Sequence, residues 1–236
     1  MLLTTEAAIE AQIEHLEIHH LASPEGDLYF ALLSDWVDAA TEHADGDAAL
    51  LKTAMAGIAR LNQRYASAPG ADRFLLLHRK RVWNAGEARW IGWERKRGKL
   101  HEINRLLRGA TDTTFLDLDG QAPKVPIGVR YVITLDADTR LPRDTVHRLI
   151  GKMAHPLNRP LFDPDVGCIV AGHGVLQPRV TPSLPVGREG SLFQRVFSSV
   201  FRDWCNEADV PKRFRARLRK AACWRLAEAG CGLLRA

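Results

Sequence analysis

Two acids one residue apart, Asp136 and Asp138, close the apolar, β-branched run Tyr-Val-Ile-Thr-Leu at 131–135. A run of that kind, without helical period and bounded by turn signals, predicts a strand buried on both faces, here the central strand of a parallel sheet. Within a strand the two acids would face opposite ways; a turn leaving the strand can converge them on one cation. The position just past a strand's carboxyl end is where ligands sit in open α/β sheets. Mg²⁺ or Mn²⁺ takes oxygen ligands, commonly one or two carboxylates plus substrate phosphates. The chemistry offered is therefore a metal bridging protein and diphosphate. The plainer alternative is a cap on the helix that starts near Pro142.

A second chemistry-bearing stretch, 79–109, holds Trp83, Trp90 and Trp93 and the basic cluster Arg95-Lys96-Arg97-Gly98-Lys99, followed by Leu100, Ile103, Leu106 and Leu107 at helical spacing. Gly98 permits close approach of backbone to a ligand. Lys99 is expected in the first turn of the following helix, where free N–H groups and the dipole favour a phosphate. The alternative is a solvated charge run ahead of core leucines, and the tryptophans are packing residues before they are sugar platforms.

The elements that must position these residues alternate. A helix is expected over about 5–20, with Ala8, Ile9, Ile13, Leu16 and Ile18 as its apolar stripe. A strand follows at 28–33, a helix at 48–65 and a strand at 74–78, and beyond the acids come a helix at 143–154 and a strand within 166–176. Helix and strand in alternation predict an α/β fold with a mostly parallel, Rossmann-like sheet. Such a sheet normally opens with a strand, whereas this chain offers only Met1-Leu2-Leu3 before its first helix. The expectation is a sheet lacking its first strand.

Composition limits the function classes. The 236 residues are 46% hydrophobic, enough for one sizeable core, and carry a net charge of +5. That excess does not mark a nucleic-acid surface on the body: residues 198–236 hold nine Lys and Arg against four acids, and the other 197 residues hold 24 of each sign. Cys205, Cys223 and Cys231 also lie in that tail. No zinc-type spacing occurs and nothing demands disulfides, so a reducing, cytoplasmic setting is expected. No transmembrane run and no signal-peptide h-region is present. The basic tail leaves open an alternative function, binding of nucleic acid or an anionic membrane, or a truncated product without function.

With these residues in view, the body resembles the glycosyltransferase domain of bacterial cyclic β-1,2-glucan synthases, a family 2-like transferase of GT-A type. The matching text includes Phe-Ala-Leu-Leu-Ser-Asp-Trp at 30–36, Trp-Glu-Arg-Lys-Arg-Gly-Lys-Leu-His-Glu-Ile-Asn at 93–104, Tyr-Val-Ile-Thr-Leu-Asp-Ala-Asp-Thr-Arg at 131–140 and Gly-Val-Leu-Gln-Pro-Arg-Val at 174–180. The resemblance implies UDP-glucose as donor, a β-glucan acceptor, Mg²⁺ or Mn²⁺, and action at the cytoplasmic face of the inner membrane within a membrane-embedded parent. It places Asp136 and Asp138 on the metal, Asp136 also on the diphosphate, Lys99 on the donor and Asp35 on uridine, with Gln177 and Arg179 on the strand bordering the acceptor. It supplies no catalytic base. Residues 1–197 then form a partial transferase domain without its first strand and acceptor-side half. Residues 198–236 depart from the family and read as out of frame, the alternative being an amphipathic extension carrying Ala216, Leu218, Ala221 and Trp224. The fragment is expected to be inactive alone.

Overall fold

The computed structural model describes residues 1–65, 68 and 72–178. They belong to two compact units, one through Ile150 and one from Gly151 onward. The tail 198–236 lies outside the described residues.

The first unit is α/β. Its sheet contains β1 (Leu2–Leu3), β2 (Phe30–Trp36) and β3 (Phe74–Arg79), all parallel and in that spatial order. The chain thus opens on a strand, of two residues, where a helix was expected first. Parallel neighbours need crossovers, and α1 (Glu6–Ala22) and α2 (Asp47–Arg64) supply them. Side chains alternate along β2. Leu32 and Trp36 join Leu3, Phe74 and the helix residues Ile9, Ile13, Ala54, Ile58 and Leu61 in one core. Leu77, Ile103, Leu106 and Phe115 form a second core, flanked by Ala31 and Leu33, and α3 (Arg95–Leu106) covers it. The sheet is therefore covered on both faces, as near-continuous apolar strands require. Ile18, counted in the apolar stripe, is exposed instead.

Helix α1 begins where Thr5, in extended conformation, accepts a hydrogen bond from the Ala8 amide at 3.2 Å. That bond satisfies one of the free N–H groups of the first turn. Thr5→Ala is expected to lower stability by about 1 kcal/mol, measured as a shift in denaturant midpoint at unchanged slope.

The run 131–135 is not a strand. It has no regular structure, and Val132, Ile133 and Leu135 are exposed. A strand exists only when its N–H and C=O groups meet a partner ladder. Among the described residues no strand pairs with this run, and β1 has only two residues to offer. Apolar sequence set the expectation; the missing ladder overturns it. The segment is tied down locally by Gln12 Nε2 donating to Ala137 O at 3.1 Å and by a turn in which Thr139 N donates to Asp136 O at 3.0 Å.

A hairpin not expected from the sequence joins β4 (Val82–Asn84) to β5 (Arg89–Ile91), with Trp83 opposite Trp90. Asn84 Oδ1 accepts from the Gly86 and Glu87 amides at 2.9 and 3.2 Å, an Asx-type turn. Helix α4 (Thr145–Ala154) follows the 131–140 segment. In the second unit β6 (Leu161–Asp163) and β7 (Cys168–Ala171) make an antiparallel hairpin, closed by Asp163 Oδ1 accepting from Asp165 N at 2.9 Å. The strand expected within 166–176 is thus shorter, and it pairs antiparallel.

Candidate functional site

The alternation that builds the sheet also decides where its polar residues go. Asp35, next to last in β2, and Arg79, last in β3, are register partners on the face covered by α3. Asp35 Oδ1 accepts from Arg79 Nε at 2.6 Å, while Asp35 Oδ2 pairs with Lys99 Nζ at 2.7 Å. Arg79 Nη1 also reaches Glu102 Oε2 at 3.2 Å and donates to Trp93 O at 3.0 Å, and Nη2 donates to Arg95 O at 2.9 Å. Glu102 accepts from Thr114 N at 3.1 Å and from Thr114 Oγ1 at 2.6 Å. Arg79 is completely buried, and Asp35, Lys99 and Glu102 are each under 8% exposed. Two acids and two cations share this pocket of the fold, so its net charge is zero. Buried charges persist only when paired and hydrogen-bonded in this way. Burial pushes the Asp35 carboxyl up, but hydrogen bonds and charge from Arg79 and Lys99 outweigh it and hold it below the ordinary carboxylate value.

On the opposite face His78, also fully buried, exchanges a 2.8 Å hydrogen bond between Nδ1 and Ser34 Oγ and packs edge-on against Trp36 at 4.1 Å. Burial pushes its imidazole down to about 4; the Lys99 and Arg81 cations add to that, while Asp35 and Asp47 oppose it. Arg81 pairs with Asp47, the first residue of α2, and donates to Val37 O at 2.8 Å and Glu42 O at 2.9 Å. It thereby fixes the loop leaving β2.

Two expectations about the basic cluster change. Helix α3 begins at Arg95, so Lys99 lies in the second turn, past the free N–H groups, and it is a buried ion-pair partner rather than part of a solvated charge run. Gly98 does admit a close approach, but of Trp93: a Cβ there would stand 2.0 Å from Trp93 O. The close neighbour is protein.

Of the residues expected to act together, the fold brings Asp35 and Lys99 into contact. Asp136 is exposed and forms an ion pair with Lys96, one helical turn before Lys99, and the hydrogen bond and charge of Lys96 lower its pKa. Asp138 is exposed in the same turn. Gln177 is exposed in irregular chain beyond β7 rather than on a strand, and Arg179 lies outside the described residues. Among the described residues no group of three or more His, Cys, Asp or Glu is placed to hold a metal. Asp136 and Asp138 therefore offer at most two carboxylates, a donor set that suits a Mg²⁺-type ion whose remaining ligands would be phosphate and water. Lys96 would have to yield Asp136 to such an ion.

No protein-family profile matches the chain. It is, however, 54% identical over 190 residues, 80% of its length, to the cyclic beta-(1,2)-glucan synthase NdvB of Rhizobium meliloti (strain 1021). The chain belongs to the cyclic β-(1,2)-glucan synthase family. It spans about 7% of the length of that curated synthase, so it corresponds to one small segment of it. No helix among the described residues is long and apolar enough to cross a membrane. Against this family setting, Arg79, Glu102 and Thr114 are residues that the motif reading missed. One signal was available: Glu102 follows Lys99 by three positions, which puts both on one face of a helix.

Proposed function

We propose that the chain is the donor-side part of a GT-A-type glucosyltransferase domain, which in the full synthase transfers glucose from UDP-glucose to a growing β-1,2-glucan at the cytoplasmic face of the inner membrane. The 54% identity to a cyclic β-(1,2)-glucan synthase carries this reading. The family resemblance assigns the roles. Asp136 and Asp138 would hold Mg²⁺ or Mn²⁺, which when bound neutralises the leaving diphosphate. Lys99 would meet the diphosphate, Asp35 the uridine, and Gln177 and Arg179 would border the acceptor.

An inverting transfer also needs a carboxylate to take the acceptor hydroxyl's proton. None of the assigned residues fills that role, so the chain is expected to bind donor without elongating glucan. A missing general base removes a contribution on the order of 10² to 10⁴ in rate. Incubation with labelled UDP-glucose, Mn²⁺ and a β-1,2-glucan primer should leave the primer unlabelled; robust elongation would contradict this. In equilibrium dialysis, Asp136→Asn and Asp138→Asn should each weaken Mn²⁺-dependent retention of UDP-glucose by about tenfold, the loss of one charge-assisted contact. Unchanged retention in both variants would remove the metal assignment.

A further inference from the structure

We propose that Arg79 is the positioning residue of the donor site: it holds Asp35 by one oxygen so that Lys99 can leave the other for an incoming diphosphate. The proposal rests on the donor reading above. Asp35 has two cations, Arg79 on Oδ1 at 2.6 Å and Lys99 on Oδ2 at 2.7 Å. Lys99 leaving alone would not strand a buried carboxylate, because Arg79 stays. Arg79 is itself held from the far side by Glu102, three residues beyond Lys99 on the same helix, and by the carbonyls of Trp93 and Arg95 at that helix's start. One guanidinium thus ties the end of β2 to the helix that carries Lys99. The fold also keeps a gap for it. A Cβ on Gly92 would stand 3.0 Å from Arg79 Nη2 and 3.2 Å from Asp35 Cγ, so a single methyl there presses on the pair without altering any charge.

An ion pair that only braces the core would change stability when altered, yet would show no energetic coupling to Lys99 in ligand binding. The two cases separate in the full-length chain, comparing wild type, Arg79→Lys, Gly92→Ala, Lys99→Met and the Arg79→Lys/Lys99→Met double variant. Two readouts are taken: affinity for UDP with Mn²⁺, and the Lys99 ammonium NMR signal in free protein, which the buried ion pair should protect from exchange. Arg79→Lys and Gly92→Ala are each expected to weaken UDP binding by about tenfold, while the double variant binds no worse than Lys99→Met alone. The Lys99 signal should vanish in both. Wild-type affinity in folded Arg79→Lys and Gly92→Ala, or losses that simply add to that of Lys99→Met, would overturn the proposal. Should Arg79→Lys fail to fold, Gly92→Ala alone decides. If wild type binds no UDP, the donor reading falls and takes the donor-site role of Arg79 with it; retention of the ammonium signal in both variants refutes the positioning of Lys99 by Arg79 whether or not UDP binds.

Discussion

Arg79→Met is expected to destabilise the first unit by about 3–5 kcal/mol, the cost of removing one partner from a buried ion pair. The substitution leaves Asp35 held by Lys99 alone and takes from Glu102 the guanidinium it is ion-paired with. It also deprives the Trp93 and Arg95 carbonyls of the hydrogen bonds that Arg79 donates. Methionine replaces the volume but none of these donors. Against a typical total stability of about 5–15 kcal/mol, such a loss unfolds a marginal domain outright. Urea unfolding followed by circular dichroism checks it. A change under 1 kcal/mol would mean that the cluster is far more open to water than its burial implies.

The second large effect is on acid stability. His78 titrates near 4 in the fold and near 6.5 when unfolded. Between those values the unfolded chain binds the extra proton, so stability is full above about pH 6.5 and falls as pH drops toward 4. A shift of that size corresponds to about 3 kcal/mol. His19 and His20 are also lowered, chiefly by burial, and add to the loss in the same direction. His78→Phe keeps a ring against Trp36 and removes the ionisation. The variant starts less stable, because Ser34 Oγ loses its partner. Its stability should nevertheless fall by about 3 kcal/mol less than wild type between pH 7 and pH 4. Parallel pH profiles would show that His78 is not buried neutral.

Where the sequence could be read, pattern and burial coincide. The helices at Glu6–Ala22 and Asp47–Arg64 and the strands at Phe30–Trp36 and Phe74–Arg79 fall within a few residues of their apolar periodicities, because packing against one sheet is what those periodicities encode. The run 131–135 shows the limit. Its composition records how well it would fill a strand, but the ladder it needs belongs to another segment, and β1 supplies two residues. In the site, Lys99 and Asp35 stood out as motif residues. Arg79 did not, since an arginine just after an apolar run looks like the return to solvent; only the register opposite Asp35 turns it inward. The hairpin at 82–91 was not read from the sequence, since the Asn84 side chain that makes its turn ends one strand of three residues and leads into another of three.

Whether this chain carries a metal-dependent donor site is decided by calorimetric titration of the full chain with UDP, with and without Mn²⁺. Saturable binding that depends on the metal is predicted, weak because one segment of the synthase supplies only part of the site. No heat of binding at millimolar UDP, or the same affinity in the absence of Mn²⁺, would contradict it.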